Sequence, residues 1–180
     1  MCAPDRVVPL RDGRRVVIRA TGPHDAERIR AFVRDLSPHS RGQRFLVPLR
    51  ELPEPMVQRI VSSPREEYAA LIAEPFAHAG PGVVGLAELG RAAHGEPREI
   101  ALAVAEDWRR DGLARALVQA LTDEAGCRGW PYAYADIRRD NLPALRLAQH
   151  LGAGFHRSPH GPTLTRITMC RCRRMLRARG

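Results

Sequence analysis

The chain holds 180 residues, 44% hydrophobic and 27% charged, the composition of one soluble globular domain that buries about 70% of its surface on folding. Its richest apolar stretch, Tyr68 to Leu89, is broken by Glu74, Pro75 and Pro81, and the first ten residues include Asp5 and Arg6, so neither a membrane span nor a secretory leader is expected. The net charge of +9 comes from 29 arginines and no lysine, an excess that permits attraction to nucleic acid, acidic proteins or phosphorylated cofactors without choosing among them.

In chain order, Val16 to Arg19 reads as a strand, and Thr21-Gly-Pro-His leads into a helix carrying Ala26, Ile29, Phe32, Val33 and Leu36 at helical spacing. Ser37 to Leu52, rich in proline and arginine, reads as irregular. Pro53 to Ser62 is predicted as a short helix with Met56 and Ile60 on one side. Tyr68 to Ala73 and Val83 to Leu89 are predicted strands separated by a Gly80-Pro-Gly turn. Glu99 to Ala105 is a strand, Leu113 to Ala125 an amphipathic helix with Leu113, Leu117 and Leu121 inward, Tyr132 to Ile137 a strand, and Leu142 to Leu151 a helix closed by Gly152. This alternation implies a parallel strand pair joined by a crossover. Two last strands, around Phe155 and from Thr163 to Cys172, flank a His160-Gly161-Pro162 turn. The expected class is α/β with a mixed sheet, one domain over residues 1–180 with a short basic tail at 173–180.

Cys2, Cys127, Cys170 and Cys172 are few and unevenly placed, which suits a reducing cytoplasm. Cys170-x-Cys172 has no second Cys or His pair at zinc-site spacing, and the histidines are scattered, so no metal is expected. Arg171, Arg173, Arg174, Arg177 and Arg179 have no interleaved aromatic residue for base stacking. They read as a solvated tail, and no nucleic-acid partner is expected.

The most informative stretch is Val104-Ala-Glu-Asp-Trp-Arg-Arg-Asp-Gly-Leu-Ala114, which joins a strand to a helix. The first N–H groups of a helix lack intrahelical acceptors, and the helix dipole adds partial positive charge there. Gly112 removes the Cβ that would block close approach, and Arg109 and Arg110 add formal charge, so a phosphate would be well held. The alternative is an ordinary glycine-containing loop entering a helix.

The arrangement resembles the GNAT superfamily of acetyltransferases. Their acyl-CoA signature, Arg/Gln-x-x-Gly-x-Gly/Ala after a strand, is matched by Arg109-x-x-Gly112-x-Ala114. A second, Asn-x-x-Ala-x-x-Leu followed by a helix ending in Gly and Phe, is matched by Asn141-Leu-Pro-Ala144-Leu-Arg-Leu147 and Gly154-Phe155. The stretch from Arg11 to Phe45 also looks like the family's first strand and helix. Glu99-Ile-Ala-Leu-Ala-Val104 followed by Asp107-Trp108-Arg109 is similar to the acetyltransferase domain of bacterial protein-lysine acetyltransferases. The resemblance covers nearly the whole chain and implies a mostly antiparallel mixed sheet with one parallel pair, flanked by helices. It further implies that the backbone of Leu102, Ala103 and Val104 faces the acetyl and pantetheine portion of acetyl-CoA. Arg109, Arg110, Asp111, Gly112, Leu113 and Ala114 would wrap its pyrophosphate. Asn141 would meet the pantetheine arm, or cap the helix that starts at Leu142.

Glu99 is the candidate general base. On a strand it shares a face with Ala101 and Ala103, and a carboxylate beside small alanines suits a cleft where it could take a proton from an ammonium. The family places a glutamate here; Glu88 on the preceding strand is the reserve. One departure is Ala148, where many relatives carry a tyrosine that protonates the departing thiolate; Tyr132 or Tyr134 on the adjoining strand could substitute, but each reads first as a packing residue, which leaves the acid unassigned. The expected function is transfer of acetyl from acetyl-CoA to a primary amine, on a protein or a small molecule, by direct attack and without metal. A homodimer is compatible with this. The alternatives are a non-catalytic acyl-CoA-binding regulatory module and a nucleic-acid-binding protein, the latter marked by steeply salt-dependent affinity.

Overall fold

The chain enters its sheet earlier than its hydrophobic pattern suggests. In the computed structural model, which describes residues 5–64, 66–77, 82–90 and 98–170, β1 (Arg6–Pro9) precedes the expected strand and pairs antiparallel with β2 (Arg15–Ala20). The hairpin is closed by the Leu10 N–H donating to the Arg14 carbonyl at 2.7 Å. Four residues ending in proline carry too short an alternation to read as a strand; at a sheet edge, proline's missing N–H costs no ladder bond.

α1 (Ala26–Asp35) follows, burying Ile29, Phe32 and Val33 as its spacing requires. Ser37 to Leu52 is not irregular throughout: it contains α2 (Pro38–Phe45). Ser37 accepts the Ser40 N–H on its hydroxyl at 3.2 Å, and Pro38 occupies the first turn, where no N–H is needed. This helix is made by its cap and its polar contacts, so it carries no apolar stripe to read. α3 (Glu54–Ser62), β3 (Tyr68–Pro75), β4 (Gly85–Gly90) and β5 (Arg98–Val104) come next, then α4 (Leu113–Cys127), β6 (Tyr132–Arg138), α5 (Leu142–His150), β7 (Gly154–Arg157) and β8 (Leu164–Cys170). The basic tail, Cys2, Cys172 and the Gly80-Pro81 part of the expected turn lie outside the described residues.

The eight strands form one sheet in the order β1-β2-β3-β4-β5-β6-β8-β7. All neighbours are antiparallel except β5 and β6, the pair that α4 connects. α4 lies on one face, its Leu113, Leu117 and Leu121 packed with Leu71, Ala87 and Leu89. Each such leucine contributes roughly 1.5–3 kcal/mol by burial. α5 joins it through Ala148, against Ala135 and Ile167. α1 and α3 cover the other face, with Ile29, Val33, Val57 and Ile60 over Ile72 and Leu86. No helix among the described residues is long and apolar enough to cross a membrane.

Candidate active site

The site is where the sheet comes apart. β5 and β6 pair only at Arg98↔Ala133 and Glu99↔Tyr134, although β5 continues to Val104 and β6 to Arg138. Beyond Glu99 the strands part around a cleft of about 130 Å³. Leu102, Val118 and Leu147 line it toward α4 and α5; Gln43, Arg44 and Glu99 line it toward α2. The gap thus opens through the sheet to both faces.

Register decides what β5 offers to the gap. Ala105 donates its N–H to the Val84 carbonyl at 2.9 Å, and hydrogen-bonding alternates along an antiparallel pair. Ala103 and Ala101 therefore spend their backbone groups on β4, while Leu102 and Val104 turn theirs toward the gap. Of the three residues expected to offer their backbone, Leu102 and Val104 direct it to the gap and Ala103 directs it to β4.

The loop into α4 is pinned from two sides. Trp108 is buried, and the Arg14 guanidinium lies 3.9 Å from its ring centroid. Arg14 also donates to the Asp107 carbonyl at 3.0 Å, and the Arg11 N–H to the Asp111 carbonyl at 3.0 Å. On the α2 side, Glu106 accepts from the Ser37 N–H at 3.2 Å and from the Ser40 hydroxyl. Burial works to raise the Glu106 pKa, but those two serine contacts outweigh it and bring it down to about 2. Arg109, although exposed, donates to the Val104 carbonyl at 3.0 Å and to the Ser40 hydroxyl at 2.8 Å. Its guanidinium braces the loop.

Arg110 and Gly112 both have positive φ, +70° and +97°. Such turns make concavities of successive N–H groups that bind anions. The N–H groups of Gly112, Leu113, Ala114 and Arg115 have no partner among the described residues, while the Gly112 carbonyl already accepts from Ala116 at 3.0 Å. A Cβ on Gly112 would project into open space, with nothing within 4 Å. Arg110 and Arg115 stand exposed beside this turn. The donor set fits a pyrophosphate: a run of free N–H groups, a helix start and two guanidinium groups. Arg115 carries no motif signal beyond its place in the helix's first turn, and sequence reading missed it.

Asn141 caps α5, its Oδ1 accepting the Ala144 N–H at 3.2 Å, and it also lines the cleft. Glu99 accepts no hydrogen bond among the described residues, and its pKa is raised, first by desolvation and then by Asp136, against the opposing pull of Arg44, Arg59 and His160. Glu88 is buried and engaged instead: one carboxylate oxygen takes the Arg44 guanidinium from α2 and the other the Tyr68 hydroxyl, both partners being half-buried. Of the two candidate carboxylates, Glu99 is thus the one with neither oxygen engaged among the described residues. Tyr134 stands beside Glu99, buried, with Arg166 4.0 Å from its ring centroid; Tyr132 is exposed, and Ala148 is buried beneath the cleft.

The fold is thus an α/β sheet that parts at its single parallel junction, with a turn of N–H groups, unpartnered among the described residues, at the start of the adjoining helix. Residues 43–153 match the model of the Acetyltransferase (GNAT) family, and the chain belongs to that family. It is 28% identical to the acetyltransferase PA5475 of Pseudomonas aeruginosa over 157 residues, covering 87% of this chain and 84% of that one. Among solved structures it superposes on the GNAT domain of S. lividans PAT with a TM-score of 0.82, at 22% identity, over 92% of this chain and 96% of that domain. It also resembles yncA of Salmonella typhimurium, solved with its cofactor acetyl-CoA, with a TM-score of 0.67 at 20% identity over 86% and 93% of the two chains.

Proposed function

We propose that the protein transfers the acetyl group of acetyl-CoA to a primary amine by direct attack, with Glu99 as general base. The observation that carries this reading is the parting of β5 and β6 just past Glu99, because it connects the two faces of the sheet. The turn from Arg110 to Ala114 would hold the pyrophosphate, and the Leu102 and Val104 N–H groups would face the pantetheine arm and the thioester carbonyl. Acetyl-CoA supplies an activated acyl group with a thiolate as leaving group. From the opposite face an amine would reach the gap beside Glu99, which takes its proton. A β5 N–H at the carbonyl stabilises the charge that develops on its oxygen, and holding both partners in one cleft supplies much of the acceleration. The chain contains no lysine, so an acetyl-lysine relay on the enzyme is excluded.

A screen of amine acceptors with acetyl-CoA, read by thiol release, tests this reading. Amine-dependent release supports it. Saturable coenzyme binding with no release for any amine favours instead a non-catalytic acyl-CoA-binding module, the reading to which Ala148 points.

A further inference from the structure

The register lays Tyr68, Gly90, Glu99 and Tyr134 side by side across four strands. Gly90 is required because the Tyr68 ring occupies the place of its side chain: a Cβ there would lie 2.3 Å from a ring carbon. The ring therefore lies over β4, about one strand spacing, roughly 4.8 Å, from β5 and Glu99. Arg59, from α3, sets its guanidinium 5.6 Å from the centroid of this ring.

Among the charged groups that bias the Glu99 carboxyl are Arg44, Asp136, Arg59 and His160. Asp136 is matched by Arg166 at 3.2 and 2.8 Å, and His160 stands 3.8 Å from Asp136. Arg44 is matched by Glu88. Arg59 is exposed and makes no ion pair among the described residues. A bare alkylammonium arriving here would be drawn by Glu99 and repelled by Arg59. An acceptor bearing an anion near its amino group would satisfy both, because a guanidinium binds a carboxylate or phosphonate bidentately.

We propose that the acceptor is a small amine carrying a carboxylate or similar anion close to its amino nitrogen, and that Arg59 holds this anion while Glu99 faces the amine. The inference rests on the amine-acetyltransferase reading above and narrows its substrate class. In the test, each common amino acid is compared with its own C-terminal amide as acceptor, in the parent and in Arg59→Gln, with neutral and acidic lysine peptides alongside. Arg59 is exposed, so the substitution leaves folding intact. The expected result is a kcat/KM preference for the acid over the amide of roughly 10-fold or more, as a charge-assisted contact gives. In Arg59→Gln the preference should shrink to about 2-fold, mainly through KM. Equal use of acid and amide by the parent, an unchanged preference in Arg59→Gln, or turnover of acidic peptides alone overturns the proposal. If no amine is turned over, the enzymatic reading fails by itself and the melting temperature with coenzyme decides the binding question. An Arg59-dependent shift with acids and not amides supports the anion site, and its absence overturns it.

Discussion

Glu99 on β5 and Tyr134 on β6 are the last residues at which these two strands pair. One position further along, the sheet opens into the cleft. The proposed base therefore sits on the last rung of ordinary sheet, held in register by β4 on one side and β6 on the other. Its backbone is paired on both sides, while its carboxyl remains without an internal partner among the described residues.

Acetyl-CoA should raise the melting temperature, since a ligand that binds only the folded state stabilises it by mass action. Gly112→Val forces a β-branched residue into φ +97°. That strain costs roughly 1–2 kcal/mol, so the unliganded melting point should fall by about 2–8 °C. The acetyl-CoA shift should disappear in the same variant. A shift equal to the parent's would place the phosphate site elsewhere.

Arg44→Met should destabilise the fold by about 3–5 kcal/mol, because it leaves Glu88 charged and unpaired inside the sheet. Adding Glu88→Gln should recover much of that loss, since the orphaned charge is then gone. Urea unfolding of the three proteins checks this. A single variant as stable as the parent would mean the pair is not holding α2 to β4.

Acid stability should depend on Asp25. Its burial alone would raise its pKa, but the Arg19 guanidinium at 2.7 and 2.8 Å and the Gly22 N–H at 2.9 Å outweigh this and hold it down to about 2. The folded value is thus below the ordinary 3.8. Asp25 contributes stability that is present above that ordinary value and lost as pH falls toward 2. Asp25→Asn should be less stable near neutrality and should flatten the fall in urea midpoint between pH 5 and pH 2. A parallel decline in both proteins would assign the acid sensitivity to other carboxylates.

Much of the fold was legible because its elements carry their own periodicity. α4 announces itself through Leu113, Leu117 and Leu121, and β5 through alternation ending in a turn with Gly112. The parallel β5–β6 pair followed from the alternation of strand and helix. α2 was illegible because its stability comes from a serine cap and from contacts to Glu106 and Glu88, residues far along the chain. The same non-locality hid the Arg109–Ser40 contact and the Arg44–Glu88–Tyr68 cluster, which engages both oxygens of the reserve carboxylate. Which strand residues turn their N–H groups to the gap also depended on register, so Ala103 could not be separated from Leu102 and Val104 beforehand.

The most direct measurement is the pH dependence of kcat/KM for amine acetylation in the parent and in Glu99→Gln. Partial desolvation raises the pKa of Glu99, an exposed side chain, from its ordinary value. The base must be deprotonated to act, so the acid limb of the parent profile should be lost in Glu99→Gln. Glu99→Gln keeps size and polarity but takes no proton. Its rate should fall by roughly 10²–10⁴-fold near neutrality with acetyl-CoA binding retained, and the deficit should narrow at high pH, where the amine is already neutral. A Glu99→Gln protein that turns over like the parent at neutral pH would contradict Glu99 as the base.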